Sequence, residues 1–137
     1  THFLKAFADT CHHGKEESIF FPALRAQDPS QTQQPVQRLL DEHAEGRRHL
    51  AAMQAALLPT VNITEFHEAA KAYMQLLKRH MEKENTILFP MADRLLSSEK
   101  QSELAHAFSA YEDKVMGAGQ HDALHATLKR LLAKYPA

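Results

Sequence analysis

The apolar residues of this chain recur at steps of three and four residues along most of its length. This spacing is typical of amphipathic helices, and it predicts helices over residues 2–25, 35–58, 63–96 and 98–116. A last helix is predicted from the apolar positions Leu124, Leu128, Leu131, Leu132 and Tyr135. Because long amphipathic helices in sequence pack against one another, the pattern predicts one all-α domain, a helical bundle.

The predicted breaks between helices fall at polar or helix-breaking residues. Residues 26–35 are polar and contain two prolines, so we expect a loop there, with Pro35 in the first turn of the next helix. Asn62 and Ser98 are predicted N-caps, each with a partner three residues later. The Gly-Ala-Gly segment at 117–119 is predicted to end the fourth helix.

Composition excludes several classes of protein. The net charge of −1 in 137 residues argues against nucleic-acid binding through a basic face, because phosphate neutralisation needs clustered Lys and Arg. A single cysteine excludes an internal disulfide and a Cys-rich zinc site. No apolar run approaches the ~20 residues of a membrane span, and no targeting segment is visible, so we expect a cytoplasmic protein. Ten histidines are the unusual feature.

A short internal repeat carries most of the candidate chemistry. Residues 12–22 read HHGKEESIFFP and residues 80–90 read HMEKENTILFP, with six of eleven positions identical. Each copy holds a His and a Glu four residues apart, which places both on one face of a helix. The pairs are His12–Glu16 and His80–Glu84. The next residue on each stripe is apolar, so both pairs are predicted to point into the core.

Carboxylates buried among apolar groups are costly unless they are paired or bound to a metal. Two facing helices with these pairs would unite two imidazoles and two carboxylates, a donor set that suits iron, manganese or zinc rather than calcium. His43 lies on the core-facing stripe of the second helix and is a fifth candidate ligand. The alternative is that the pairs are weak surface ion pairs, but their repetition in a matching apolar frame favours a metal site.

Other residues near the repeat carry further expectations. His13 falls off the ligand stripe and is predicted to be solvated, or at most to contact a ligand. Pro22 and Pro90 follow their glutamates at the same offset and predict a helix kink or end in both copies. His121 and His125 have the spacing of a metal-binding pair, although a polar helix start explains them as well.

Three segments resemble the hemerythrin-like, or HHE cation-binding, family: ADTCHHGKEESIFFP, LLDEHAEGRR and LLKRHMEKENTILFPMAD. The tail, FSAYEDKVMGAGQHDALH, also resembles members of its bacterial branch. The resemblance implies an up-and-down four-helix bundle with an additional C-terminal helix. It also implies two non-haem iron ions bridged by oxygen or carboxylate, for which zinc or manganese can substitute. The ligands that it implies are His12, Glu16, His43, His80 and Glu84. Glu17 is a weaker substitute for Glu16, because only Glu16 aligns with Glu84.

The resemblance also shows a departure from the family pattern. The family normally begins with a further helix that carries a ligand His, whereas this sequence opens in the helix of His12. We therefore expect one of two explanations: that helix, with its ligand, was removed from this sequence, or the protein works without it. In the second case, the last helix fills the place with His121 or His125, or two chains close the gap as a homodimer.

Three classes of function are compatible with these expectations. The first is a metal protein that binds O2, nitric oxide or another small diatomic ligand for carriage or sensing, and it is favoured over a catalyst. The second is a di-iron enzyme or iron-donating repair factor acting on O2, peroxide or nitric oxide. Since the sequence has no flavin or nicotinamide motif, its electrons would come from an unidentified donor protein. The third is a structural helical domain with adventitious zinc. Family membership alone does not choose among them.

Overall fold

The computed structural model describes residues 1–117 and 119–134, except the side chains at positions 121, 131 and 132. Within this part of the chain there are five helices and no strand. The helices are α1 (residues 2–27), α2 (Pro29–Ala55), α3 (residues 63–95), α4 (Ser98–Met116) and α5 (Gln120–Lys134). The all-α prediction is confirmed. Tyr135, a predicted position of the last helix, lies outside the described residues.

The first four helices alternate in direction. At one end of the α1–α2 pair Arg25 contacts Gln37, and at the other end Asp9 pairs with Arg47, so these helices are antiparallel. Helix α3 packs along α2 over much of its length. Helix α4 returns along α1, where Lys15 pairs with Glu112. Helix α5 follows α4 and packs against it.

The predicted loop over residues 26–35 is wrong. Only Asp28 separates α1 from α2, which starts at Pro29 and contains Pro35 in its interior. The Asp28 backbone is extended, and its carboxylate accepts hydrogen bonds from the Gln31 amide at 3.0 Å and from the Ser30 hydroxyl at 2.7 Å. Because this cap satisfies the Gln31 backbone donor of the first turn, a polar segment that lacks an apolar stripe can still be helical.

The other helix ends agree more closely with the sequence. Asn62 caps α3 as predicted, with its side-chain oxygen accepting from the Glu65 amide at 3.2 Å. The cap of α4 is Ser97 rather than the predicted Ser98, since the Ser97 hydroxyl accepts from the Lys100 amide. Gly117 ends α4 at φ 86°, in the left-handed region that favours glycine.

Helices α1 and α3 contain matching wide, π-helical turns. These turns cover Lys5–His13 and Glu16–Phe20 in α1 and Glu84–Leu88 in α3. Pro22 and Pro90 each lie two residues after a wide turn, and the residues that end those turns have nearly the same backbone angles. A wide turn suits a residue that donates no backbone hydrogen bond. The two prolines therefore coincide with the same irregular turn in both copies of the repeat, as predicted. Neither helix ends at its proline.

Two clusters of buried apolar side chains lie at different levels of the bundle. The larger is built from α1 to α4, with Phe21, Leu24, Val36 and Leu88 among its fully buried members. The smaller is centred on Leu50, Met53 and Tyr73. The histidines and glutamates of the repeat occupy the level between them. Among the helices of the described residues, none has both the length and the apolar character for crossing a membrane.

Candidate metal centre

The structure brings the five predicted ligands together between the two apolar clusters. His43 Nε2 lies 3.3 Å from Glu16 Oε2, and His80 Nε2 lies 3.2 Å from Glu84 Oε1. His12 Nε2 is 3.6 Å from Glu16 Oε1. Four of the five residues are buried, whereas the His12 side chain is 50% exposed. The geometry agrees with a shared site, and the role of each residue as a ligand stays a prediction.

His13 is buried, so the prediction that it is solvated is wrong. Its ring stacks on that of His43 at a centroid distance of 3.9 Å. The physical reason is the wide turn over Lys5–His13. A stripe drawn with the α-helical period of 3.6 residues assigns the inward position to His12 alone. The only feature of the sequence that could indicate a buried His13 is its position directly after His12.

The site contains two groups of side chains that could each hold a metal ion. One consists of His13, Glu16, His43 and His80, and the other of His12, Glu16 and Glu84. Within each group the ligand atoms lie within 4.8 Å of one another. Glu16 belongs to both groups, so the two candidate positions adjoin and share a carboxylate.

The imidazoles of His43 and His80 are oriented by carboxylates from neighbouring helices. His43 Nδ1 donates to Glu17 Oε1 at 2.8 Å, and His80 Nδ1 donates to Glu42 Oε2 at 3.1 Å. With hydrogen on both Nδ1 atoms, the Nε2 lone pairs point into the site, where the two Nε2 atoms lie 3.3 Å apart. This arrangement is typical of metal-binding histidines.

The basic residues outside the site hold these two carboxylates in place. Arg47 donates to Glu17 Oε1 at 2.6 Å and to Asp9 at 2.8 Å. Lys83 donates to Glu42. Glu17 therefore contacts His43 from outside the site. It does not take the place of Glu16, which was the alternative that the sequence left open.

Three buried polar atoms of the site lack a hydrogen-bond partner among the described residues: His13 Nδ1, Glu16 Oε2 and Glu84 Oε1. Glu16 Oε2 and Glu84 Oε1 are near imidazole nitrogens, but not in hydrogen-bond geometry. Leaving such an atom unsatisfied costs about 1–3 kcal/mol. Glu16 and Glu84 belong to one candidate metal group, so a cation there would satisfy both carboxylates, whereas His13 Nδ1 lies 3.7 Å from Asp9 Oδ1. The imidazole and carboxylate donors fit a transition metal.

Comparison with protein families bears on the same residues. The family model described as the hemerythrin HHE cation binding domain matches residues 1–92. This chain belongs to that family. The matched span includes every residue of the two candidate metal groups, and it ends within α3. Neither the curated proteins nor the solved structures contain a match to the chain.

The electrostatics of this HHE centre are dominated by burial. Burial, and then the hydrogen bond to Glu84 and its charge, raise the pKa of Glu16 to about 9. Burial also acts to raise the pKa of Glu84, but the close contacts with His80 and Glu16 outweigh it and lower that pKa. Burial and the neighbouring imidazoles lower the pKa of His13 to about 2. Without a cation, the two carboxylates therefore share one proton at neutral pH, which a bound metal ion would displace.

Apolar side chains close the HHE centre on the side of the larger cluster. The Phe21 ring lies parallel to that of His43 at 5.7 Å, and Phe20 and Leu88 are buried. The isoleucines at the matching positions of the two repeat copies face inward less, since Ile87 is 48% exposed and Ile19 is half-buried. The wide turn Glu84–Leu88 shifts the register of the helix and thus the side chains that face inward.

The last helix does not bring His125 to the HHE centre. The His125 ring packs edge-on against Phe7 at 5.0 Å, and His125 belongs to neither candidate metal group. The alternative in which His125 supplies a missing ligand is therefore wrong for this structure. The side chain of His121 lies outside the described residues.

Proposed function

We propose that this HHE protein holds two non-haem iron ions and binds O2 or another diatomic ligand, such as nitric oxide, for carriage or sensing. The observation that carries the proposal is the opposed pair His43 Nε2 and His80 Nε2, 3.3 Å apart with both Nδ1 atoms engaged by carboxylates. Two lone pairs at this separation repel unless a cation or a proton lies between them.

Without metal, the surroundings of His80 favour its protonated form, which relieves that repulsion. Burial acts to lower the pKa of His80, but the close contact with the Glu84 carboxylate, the hydrogen bond to Glu42 and the charge of Glu16 outweigh it and raise the pKa. In the metal-free site, protons thus supply the positive charge that a metal ion would otherwise provide. This supports a site built for cations rather than a set of ordinary ion pairs.

The number of metal ions in the proposal follows from the two groups that share Glu16. One position has three imidazoles and one carboxylate, and the other has His12 with Glu16 and Glu84. The second has fewer protein donors, and its His12 is half-exposed, so it leaves space for an external ligand. Two adjacent iron ions would supply electrons and an open coordination position for that ligand.

The remaining residues serve the centre in three ways. Glu17 and Glu42 orient the imidazoles of His43 and His80. Glu16 and Glu84 hold a proton that leaves on metal binding. Phe20, Phe21 and Leu88 exclude water from one side, which strengthens electrostatic interactions within the site.

A second candidate function is supported by the half-exposed His12. An accessible metal position would also serve a di-iron enzyme or an iron-donating repair factor acting on O2, peroxide or nitric oxide. That function requires an electron donor, whereas carriage or sensing requires release of the intact ligand. The two functions are therefore distinguished by reversibility.

The test is anaerobic loading of the protein with Fe(II), followed by metal analysis and exposure to O2 under an absorption spectrometer. We expect two iron ions per chain and new visible bands that disappear on degassing. His80→Ala should remove at least one iron, whereas His106→Ala, at an exposed position of α4, should remove none. Metal content far below one per chain in the unsubstituted protein would refute the proposal. Bands that return only with an electron donor would support the enzyme.

A further inference from the structure

A cavity of about 390 Å³ opens between α1, α3 and α4, beside the second candidate metal position. His12 and Glu16 line it at the metal end, together with Lys15. The walls are apolar and are formed by Phe20, Phe89, Ala92, Leu96, Leu104 and Phe108. Asp93 and Gln101 complete the lining. The cavity thus joins the metal centre to an apolar compartment.

The size of this cavity is not explained by a diatomic ligand. A molecule as small as O2 needs a volume on the order of the ~30 Å³ that water occupies in the liquid. A volume of about 390 Å³ with apolar walls and a few polar groups at one end instead falls in the range of organic-ligand pockets.

Three aromatic rings define the shape of the compartment. Phe20, which is almost fully buried, lies between Phe89 and Phe108, with a centroid distance of 6.3 Å to each. The Phe108 ring stands edge-on to that of Phe20, while Phe89 is 40% exposed at the rim. An aryl or alkyl group that enters between Phe89 and Phe108 would contact all three rings and cover the exposed face of Phe89.

The two ends of the cavity differ in charge. The Lys15 ammonium lies at the metal end, where it pairs with Glu112 and stands 5.8 Å from the centroid of Phe108. Metal ions in the centre would add further positive charge there. Asp93 follows Glu84 by nine residues on α3 and is therefore about 13 Å farther along the helix axis, at ~1.5 Å per residue. With metal bound, an anionic group is favoured at the metal end, where Lys15 would contact both that group and Glu112, and is disfavoured near Asp93.

We propose that the cavity binds a monocarboxylate with an aryl or alkyl body as a second ligand of the centre. Its carboxylate lies at the His12–Lys15 end, and its apolar body lies among Phe20, Phe89 and Phe108. This inference deepens the proposed function and rests on it, because the metal ions provide part of the positive charge. An organic acid at this position would share the centre with the diatomic ligand and regulate access to it.

The test uses zinc-loaded protein, since zinc has no redox chemistry with O2. Binding of 3-phenylpropionate is measured by isothermal titration calorimetry and compared with binding of 3-phenyl-1-propanol, which has a similar body and no charge. We expect the acid to bind at least tenfold more tightly than the alcohol. Lys15→Met should weaken the acid severalfold and leave the alcohol nearly unchanged.

A matched pair of variants locates the binding. Ala105 is an exposed residue of α4 that lines the cavity, and Ala110 is an exposed residue of the same helix that does not. Ala105→Phe should weaken 3-phenylpropionate at least tenfold, whereas Ala110→Phe should bind like the unsubstituted protein. Circular dichroism of both variants verifies that they fold.

Equal affinity for acid and alcohol, or equal affinity of the two Phe variants for the acid, would overturn the inference. Zinc analysis of the same samples separates this failure from that of the proposed function. If the protein binds zinc but not 3-phenylpropionate, the metal centre is supported and the cavity proposal is refuted. The opposite result is also informative. If the protein binds no zinc but binds the acid, and Ala105→Phe weakens that binding as expected, the cavity is supported with Lys15 as the partner of the anion. The proposed metal function is then refuted.

Discussion

Replacement of Glu16 by glutamine separates the two roles that the structure gives to this residue. Glu16 is common to both candidate metal groups. Its pKa of about 9 keeps it protonated at neutral pH when no metal is bound. Glutamine resembles a protonated carboxyl group in shape and cannot become an anionic ligand. Glu16→Gln should therefore preserve the metal-free fold at pH 7 and abolish the stabilisation that metal provides.

The expected size of the effect follows from binding linkage. Metal at a hundredfold excess over its Kd stabilises the folded state by about 2.7 kcal/mol. For a chain of this length, 1 kcal/mol shifts the Tm by roughly 3–5 °C, so metal should raise the Tm of the unsubstituted protein by about 8–14 °C. Glu16→Gln should lose most of this rise. Its metal-free free energy of unfolding at pH 7 should not fall and should increase by up to about 3 kcal/mol, because glutamine needs no proton uptake on folding.

The pH dependence of the metal-free protein gives an independent measure of the same group. The pKa of Glu16 rises from 4.5 to about 9 on folding, so between these values the folded state holds a proton that the unfolded state releases. The contribution of Glu16 to stability is therefore fully present below pH 4.5 and is lost as pH rises toward 9. Glu16→Gln should make the stability depend less on pH across this window.

The assay is thermal unfolding followed by circular dichroism, with chelator or with added Zn²⁺ or anaerobic Fe²⁺. Glu82→Gln is the control, because Glu82 is exposed on the same helix as Glu84 and belongs to neither group. Two results would refute the reasoning. One is a large loss of stability in the metal-free Glu16→Gln protein at pH 7, and the other is a metal-induced Tm rise that the substitution leaves intact.

Three further substitutions test other parts of the site. Glu42→Gln should lower metal affinity about 10–100-fold in equilibrium dialysis by loosening the orientation of His80, and an unchanged affinity would deny Glu42 that role. His13→Ala should lower the metal content of loaded protein, whereas full occupancy would make His13 a packing residue. A Cβ at Gly14 would collide with the Tyr111 hydroxyl. Gly14→Ala should thus cost about 1–3 kcal/mol of overpacking in urea unfolding, partly offset by helix propensity. Tyr111→Ala in the same background should relieve the clash, and no relief would contradict this explanation.

The sequence was sufficient to predict the helices and the main candidate ligands because both depend on local spacing. The positions of His12, Glu16, His80 and Glu84 at four-residue steps, in a repeated apolar frame, predict two facing stripes without any knowledge of the packing. The wrong prediction of a loop at residues 26–35 also has a local cause. Polar composition predicts a loop, although the cap at Asp28 allows an exposed helix.

The sequence by itself thus determined that this is an all-α HHE domain with a cluster of histidines and carboxylates in its core. Only the tertiary structure decided which neighbours complete that cluster. The inward turn of His13 depends on a wide helical turn that the α-helical period does not anticipate. The bonds of Glu17 and Glu42 to His43 and His80 join residues of different helices. Distances across helices depend on how the helices rotate and pack against one another, and the spacing of residues along one helix does not contain that information.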